Sequence, residues 1–160
     1  MSQKDKISYK LMSEQDIEGV AKIEKECFSV PWSQQAFIDE MKVEGSVSIV
    51  AKCGDTVCGF INGRLAADEF YMNNIAVTED FRRQSIADKL LFALEVTLGE
   101  SAKLITLEVR ASNTIAQNLY AKNGYEKVGT RKNFYEKPTE DAVLMTKTLL
   151  SIEEFENSNL

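Results

Sequence analysis

The chain contains no histidine among its 160 residues. That absence excludes catalytic triads built on imidazole and any zinc site with a histidine ligand. Proton transfer is left to carboxylates, phenols, thiols, amines or held water. Cysteine is scarce as well: Cys27, Cys53 and Cys58 are an odd number with no CxxC pair, which argues against a disulfide framework and against a structural metal. A reducing cytoplasm is the expected setting, and each cysteine is read as a small buried apolar side chain. No stretch approaches the roughly 18 apolar residues needed to span a bilayer, and the start MSQKDKISYK lacks the apolar core of a signal peptide. With eight glycines and two prolines, the sequence is neither collagen-like nor of low complexity.

What is present is an ordinary globular composition, 44% hydrophobic and 28% charged. The length suits a single catalytic domain, taken as residues 1–150, followed by a polar, acidic C-terminal tail, 151–160, that is expected to fray. Twenty-five acidic against nineteen basic residues give a net charge of −6, which disfavours broad nucleic-acid binding and would steer in a basic peptide. No heptad repeat or obvious docking helix is seen, so a monomer is expected.

Hydrophobic periodicity predicts the element order β, αα, βββ, α, β, α, ββ. Ile7 to Leu11 reads as a strand, and Ser13 with Asp16 as a near capping box for a helix running to Phe28. Glu24 interrupts the apolar face of that helix and is read as a boundary or cleft residue. After Pro31-Trp32-Ser33 a second helix follows, capped by Ser33. Val47 to Cys53 and Thr56 to Leu65 read as a hairpin, and Phe70 to Val77 as a third strand. Asp80 to Ala87 leads into a helix whose inward stripe includes Leu90, Leu91 and Leu94, ended by Gly99. A strand from Leu104 to Val109, a helix opened by Asn113, and strands near Tyr125 to Arg131 and Asp141 to Leu149 complete the pattern, with Asn133, Phe134 and Tyr135 in a polar loop. This order fits an α/β fold with a mixed, mostly antiparallel central sheet flanked by helices on both faces.

Two segments carry the chemistry. In Asn74-Ile75-Ala76-Val77-Thr78-Glu79-Asp80-Phe81-Arg82-Arg83-Gln84-Ser85-Ile86-Ala87, a strand passes through a polar turn into a helix. The free N–H groups of the first helical turn suit a phosphate, and Arg82 and Arg83 can add charge-assisted hydrogen bonds. Read without other support, the same residues make an ordinary charged helix start. The second segment is Leu107-Glu108-Val109-Arg110-Ala111-Ser112-Asn113, followed by Asn118-Leu119-Tyr120 and Asn123-Gly124-Tyr125. Glu108 sits among apolar strand residues, where a carboxylate either finds a partner such as Arg110 or Arg131 or works as a general base.

Together these segments resemble the GNAT acetyltransferase superfamily, and within it the bacterial ribosomal-protein alanine N-acetyltransferases. The resemblance runs from about Ile7 to Lys147 and is strongest in the LEVRASN segment and the helix after it. The family turn Arg/Gln-x-x-Gly-x-Gly/Ala is matched by Arg82, Arg83, Gln84, Ser85, Ile86 and Ala87, with Ser85 in place of the first glycine. A serine is tolerable there unless its backbone φ is positive.

The resemblance implies acetyl-CoA as cosubstrate and no metal. Its pyrophosphate would be held by the 82–87 turn, its pantetheine arm by backbone groups of Ile75, Ala76 and Val77, and a further cofactor contact would come from the Asn113 to Asn118 segment. Glu108 is implied as the base that deprotonates the attacking amine, and Tyr120 as the acid that protonates the departing thiolate. On the acceptor side, Trp32, Phe134 and Tyr135 can line a peptide groove while Asp68 and Glu69 attract a cationic amine. The implied acceptor is a protein N-terminus, the alanine of bacterial ribosomal protein S18. An α-amine, with a pKa of about 8, is more readily neutral than a lysine near 10.4. A small amine, an internal lysine, or a non-catalytic acyl-CoA-binding module are the competing readings.

Overall fold

Local sequence signals become local structure almost residue by residue at the start of the chain. The backbone N–H of Ser13 donates to the Asp16 carboxylate at 2.9 Å and its hydroxyl donates to the same oxygen at 3.2 Å. Asp16 is in turn ion-paired with Lys52 at 2.9 Å. Burial pushes the Asp16 carboxyl up, but the Ser13 N–H, Lys52 and the Ser13 hydroxyl outweigh it and leave its pKa lowered.

The computed structural model describes residues 6–150 and 152–158. In chain order its elements are β1 (Ile7–Leu11), α1 (Ile17–Cys27), α2 (Gln34–Met41), β2 (Ser46–Cys53), β3 (Thr56–Ala66), β4 (Glu69–Val77), α3 (Ile86–Leu98), β5 (Leu104–Arg110), α4 (Thr114–Lys122), β6 (Glu126–Tyr135), β7 (Glu140–Thr148) and α5 (Ile152–Ser158). The strands lie in one sheet in the order β1-β2-β3-β4-β5-β7-β6. The pairs β1/β2, β2/β3, β5/β7 and β6/β7 are antiparallel, whereas β4/β5 is parallel. The fold is thus a mixed, mostly antiparallel sheet flanked by helices, as the element order implies.

Three expectations change. The segment after residue 151 forms the helix α5 where a frayed tail was expected. Asn133, Phe134 and Tyr135 lie within β6 rather than in a loop, although the β6/β7 register is irregular between Arg131 and Tyr135 and Asn133 has φ of 53°. The cysteines also differ from the uniform burial expected: Cys58 is buried, but Cys27 and Cys53 are only half-buried, and all three are free of disulfides.

The chain divides into two compact units. The first comprises the residues up to Arg64 together with Met72–Thr97, and the second Leu65–Tyr71 together with the chain from Leu98 onward. In the first, Met12, Ile17, Val20, Ile23, Phe37, Val50, Phe60 and Ala76 form a buried apolar cluster, against which Trp32 packs. Helix α3 buries Ile86, Leu90, Leu91 and Leu94, the stripe legible in its periodicity. In the second unit, Phe70, Ile105, Leu107, Val109, Tyr120, Tyr125, Val143 and Met145 are buried.

One glycine sets how the first unit's strands approach. A Cβ on Gly59 of β3 would stand 3.0 Å from the Ala76 carbonyl oxygen and 3.3 Å from side-chain atoms of Leu90 and Val77. The nearest obstacle is backbone, which cannot rotate aside. Gly59→Ala is expected to destabilise the protein by about 1–3 kcal/mol, read as a lower urea midpoint at unchanged m-value.

Candidate active site

Strand β5 alternates buried and half-buried residues, and Glu108 falls between buried Leu107 and Val109. Its side chain is only 3% exposed. One carboxylate oxygen, Oε2, accepts from the Tyr71 hydroxyl. The other, Oε1, lies 3.4 Å from Arg131 Nε without forming a hydrogen bond, and is a buried acceptor with no hydrogen-bond partner among the described residues. The carboxylate is thus anchored through one oxygen by a phenol, while the other faces a cation and keeps unused hydrogen-bond acceptor capacity. The guanidinium facing it is Arg131, one of the two candidates; Arg110 pairs with Glu140 at 3.3 Å instead.

Tyr71 was not singled out in the sequence, because only strand register reveals it. β4 runs parallel to β5 with Tyr71 beside Thr106, and Thr106 shares a strand face with Glu108 two residues on. Burial, then the hydrogen bond to Glu108 and its charge, raise the Tyr71 pKa. The Tyr135 phenol is pushed up to about 12 by burial and then by the negative Glu108, with Arg110 opposing.

Tyr120 is buried on α4, and its ring meets Tyr125 edge-on at 5.7 Å. Burial, and after it the neighbouring Tyr135, raise its pKa above the phenol value. Tyr71, Tyr120 and Tyr135 therefore all keep their protons at neutral pH, as a proton-donating group must. Phe134 lies 5.9 Å from the Arg131 guanidinium and 5.0 Å from the Tyr135 ring. In the second unit Arg131 thus faces both Glu108 and Phe134, and the Phe134 ring in turn meets Tyr135.

Arg110 braces the same region. It donates to the Pro138 carbonyl at 2.9 Å and the Glu136 carbonyl at 2.8 Å, and stacks 4.5 Å from the centre of the Tyr135 ring. Glu140 accepts from the Ser112 backbone N–H at 2.6 Å. Asn113 is the cap of α4, its side chain accepting from Ala116 N–H at 3.1 Å, while Asn118 is exposed. Asp68 and Glu69 are exposed, Asp68 lying 3.8 Å from Lys103 across the start of β5.

In the first unit, Ile75 and Val77 are half-buried and Ala76 is buried. Arg82 does not extend outward: its Nε donates to the Val77 carbonyl at 3.2 Å, and its Nη2 lies 3.6 Å from Cys27 Sγ. The turn that follows is strained. Arg83 and Ser85 have φ of 64° and 59°, a region costing an ordinary L-residue about 1–2 kcal/mol. Ser85 thus occupies a position that needs what glycine supplies, the one circumstance in which the replacement is costly. The strained residues stand just before a helix start, where Ser85 O accepts the Lys89 N–H at 3.1 Å. Successive N–H groups turned by left-handed residues make an anion-binding concavity, so these residues fit a phosphate group. Trp32 is half-buried, its ring 5.2 Å from Phe37.

Fold and site define a transferase of the acetyl-CoA-using kind. The chain matches the model of the Acetyltransferase (GNAT) family over residues 17–125 and belongs to that family. It is similar to the [ribosomal protein bS18]-alanine N-acetyltransferase of Haemophilus ducreyi, at 35% identity over 136 residues, 82% of this chain and 93% of the relative. Its fold superposes on the crystal structure of the ribosomal-protein-S18-alanine N-acetyltransferase from Escherichia coli with a TM-score of 0.82 and 28% identity, covering 92% of this chain and 96% of that one. Ard1 from Thermoplasma volcanium superposes with a TM-score of 0.83 and 26% identity, covering 91% and 99%. No group of side chains able to hold a metal ion occurs among the described residues, and no helix among them is long and apolar enough to cross a membrane.

Relieving the left-handed serine is a direct test of the turn. Ser85→Gly is expected to raise stability by about 1 kcal/mol, a shift in Tm of roughly 2–4 °C for a chain of this size. Ser85→Ala, which keeps the Cβ, should give no such gain by differential scanning calorimetry.

Proposed function

We propose that this acetyltransferase moves the acetyl group of acetyl-CoA to the N-terminal α-amine of a protein, the N-terminal alanine of ribosomal protein bS18, in the cytoplasm and as a monomer. The observation that carries the reading is the buried Glu108 carboxylate, held by Tyr71 through one oxygen and facing Arg131 through the other, which has no hydrogen-bond partner among the described residues. The names of the bacterial relatives support the choice of acceptor.

In this mechanism Glu108 takes a proton from the α-ammonium group, directly or through water. The neutral nitrogen then attacks the thioester carbon, and the C–S bond breaks as the C–N bond forms. Tyr120 supplies a proton to the thiolate that leaves, and the second proton, shed by the nitrogen as it becomes an amide, returns through water to the Tyr120 phenolate. Backbone groups of Ile75, Ala76 and Val77 would orient the pantetheine arm, and the 82–87 turn would hold its pyrophosphate, with Arg83, Gln84, Ile86 and Ala87 contributing backbone N–H groups. Asn113 and Asn118 border the cofactor in this reading. Trp32, Phe134 and Tyr135 line the acceptor, and Asp68 and Glu69 attract its positive charge. No step needs a metal.

The acceptor is tested with two matched bS18 peptides and acetyl-CoA, one with a free N-terminal alanine and one blocked but carrying an internal lysine. Mass spectrometry should find acetylation of the free terminus alone; modification of the blocked peptide would move the assignment to lysine. Glu108→Gln is expected to lower kcat by about 10²–10⁴-fold, with acetyl-CoA binding unchanged by calorimetry. Because burial holds the Tyr120 phenol above its ordinary pKa of about 10, it remains protonated as pH rises to that value. The pH–rate profile should therefore show no loss from Tyr120 ionisation below about pH 10.

A further inference from the structure

Glu24 has no part in the chemistry above, yet it is among the most completely buried side chains in the protein, 1% exposed on α1. Its partners are two neutral donors. The Trp32 backbone N–H donates to Oε2 at 3.1 Å, and the Asn74 side-chain amide donates to both oxygens, at 2.7 Å to Oε2. Burial raises its pKa, opposed by those same donors, and no cation contributes. A carboxylate removed from water without an opposite charge is costly, and a hydrophobic side chain would pack there at lower cost.

The network continues into the sheet. The backbone N–H of Asn74 donates to Asn62 Oδ1 at 3.2 Å, a side chain of the neighbouring strand β3. Asn62 is fully buried, and its Nδ2 has no hydrogen-bond partner among the described residues. At Asn74 a strand N–H is thus satisfied by a side chain. That place is the residue immediately before Ile75, where the backbone assigned to the pantetheine arm begins.

We propose that Glu24, Asn74 and Asn62 are positioning residues that tie the Trp32 turn to strand β4 at Asn74, so that the acceptor segment and the cofactor-bearing strand keep one fixed spacing. This inference rests on the acetyltransferase reading. Glu24 is the joint: it accepts from the turn and from the strand with one carboxylate, whereas a glutamine of the same shape has a single acceptor oxygen and loses the contacts made through the other. In Glu24→Gln the added NH2 group opposes an Asn74 or Trp32 donor, while removal of the buried charge lifts the desolvation cost and favours survival of the fold.

Trp32 is the only tryptophan in the chain, so its fluorescence reports the turn without reference to catalysis. Acrylamide quenching is measured in the full-length wild type, Glu24→Gln and Asn74→Ala, with thermal unfolding by circular dichroism as the control for folding. Asn74→Ala breaks the same tie from the strand side and carries the test if Glu24→Gln does not fold. The expected result is greater Trp32 quenching in folded variants, a fall in kcat/KM for the peptide of about tenfold or more, as misplaced reacting groups produce, and an unchanged Kd for acetyl-CoA. Unchanged quenching overturns the tie to Trp32. A released Trp32 with undiminished kcat/KM overturns its part in transfer, and a merely structural role would lower stability without separating the peptide and acetyl-CoA effects. If the wild type acetylates no amine, the proposed function fails, and the quenching comparison still decides whether the network holds the turn.

Discussion

The carbonyl oxygen of Ala76 lies so close to the backbone of Gly59 that any side chain there would strike it. This close approach of β3 to β4 fixes the course of the strand on which the chemistry of the first unit depends. Other contacts secure it along its length: Thr78 N–H donates to the Cys58 carbonyl at 2.9 Å, Arg82 caps the Val77 carbonyl, and Asn62 takes the N–H of Asn74. A strand restrained at so many points is held in place in advance, and in the proposed function this would lower the reorganisation cost of binding the cofactor.

In the second unit the organising element is electrostatic. Glu108 is surrounded by phenols whose protons are held on by burial and by its own negative charge. With no histidine in the chain, proton traffic is confined to groups whose ordinary pKa values lie well apart, a carboxyl near 4 and phenols near 10. In the proposed mechanism base and acid thus differ in kind, one a carboxylate and the other a phenol.

Much of this was readable in advance because it depends on local rules. The capping Ser33 and Asn113, the C-terminal Gly99 and the inward stripe of α3 follow from propensity and period, which act over a few residues. What escaped depends on partners distant in sequence. Glu24 interrupts an apolar helical face, and nothing nearby reveals that its donors lie 8 and 50 residues away. Tyr71 meets Glu108 only through the parallel register of β4 and β5. The strain at Ser85 belongs to the backbone: a motif marks the position, but only the dihedral angle shows that serine sits there at a cost.

Arg110 stands two residues beyond Glu108 on the same strand, and it grips the Glu136 and Pro138 carbonyls while stacking on Tyr135. Arg110 thereby ties the strand that carries Glu108 to the aromatic end of β6 and the residues that follow it. Under the proposed function such a surface would select by refusal: a peptide whose first residues match its contour would enter without rearrangement, whereas a bulkier one would have to break several hydrogen bonds at once. Discrimination between short and large N-terminal side chains would then reside in stiffness as much as in the shape of the wall.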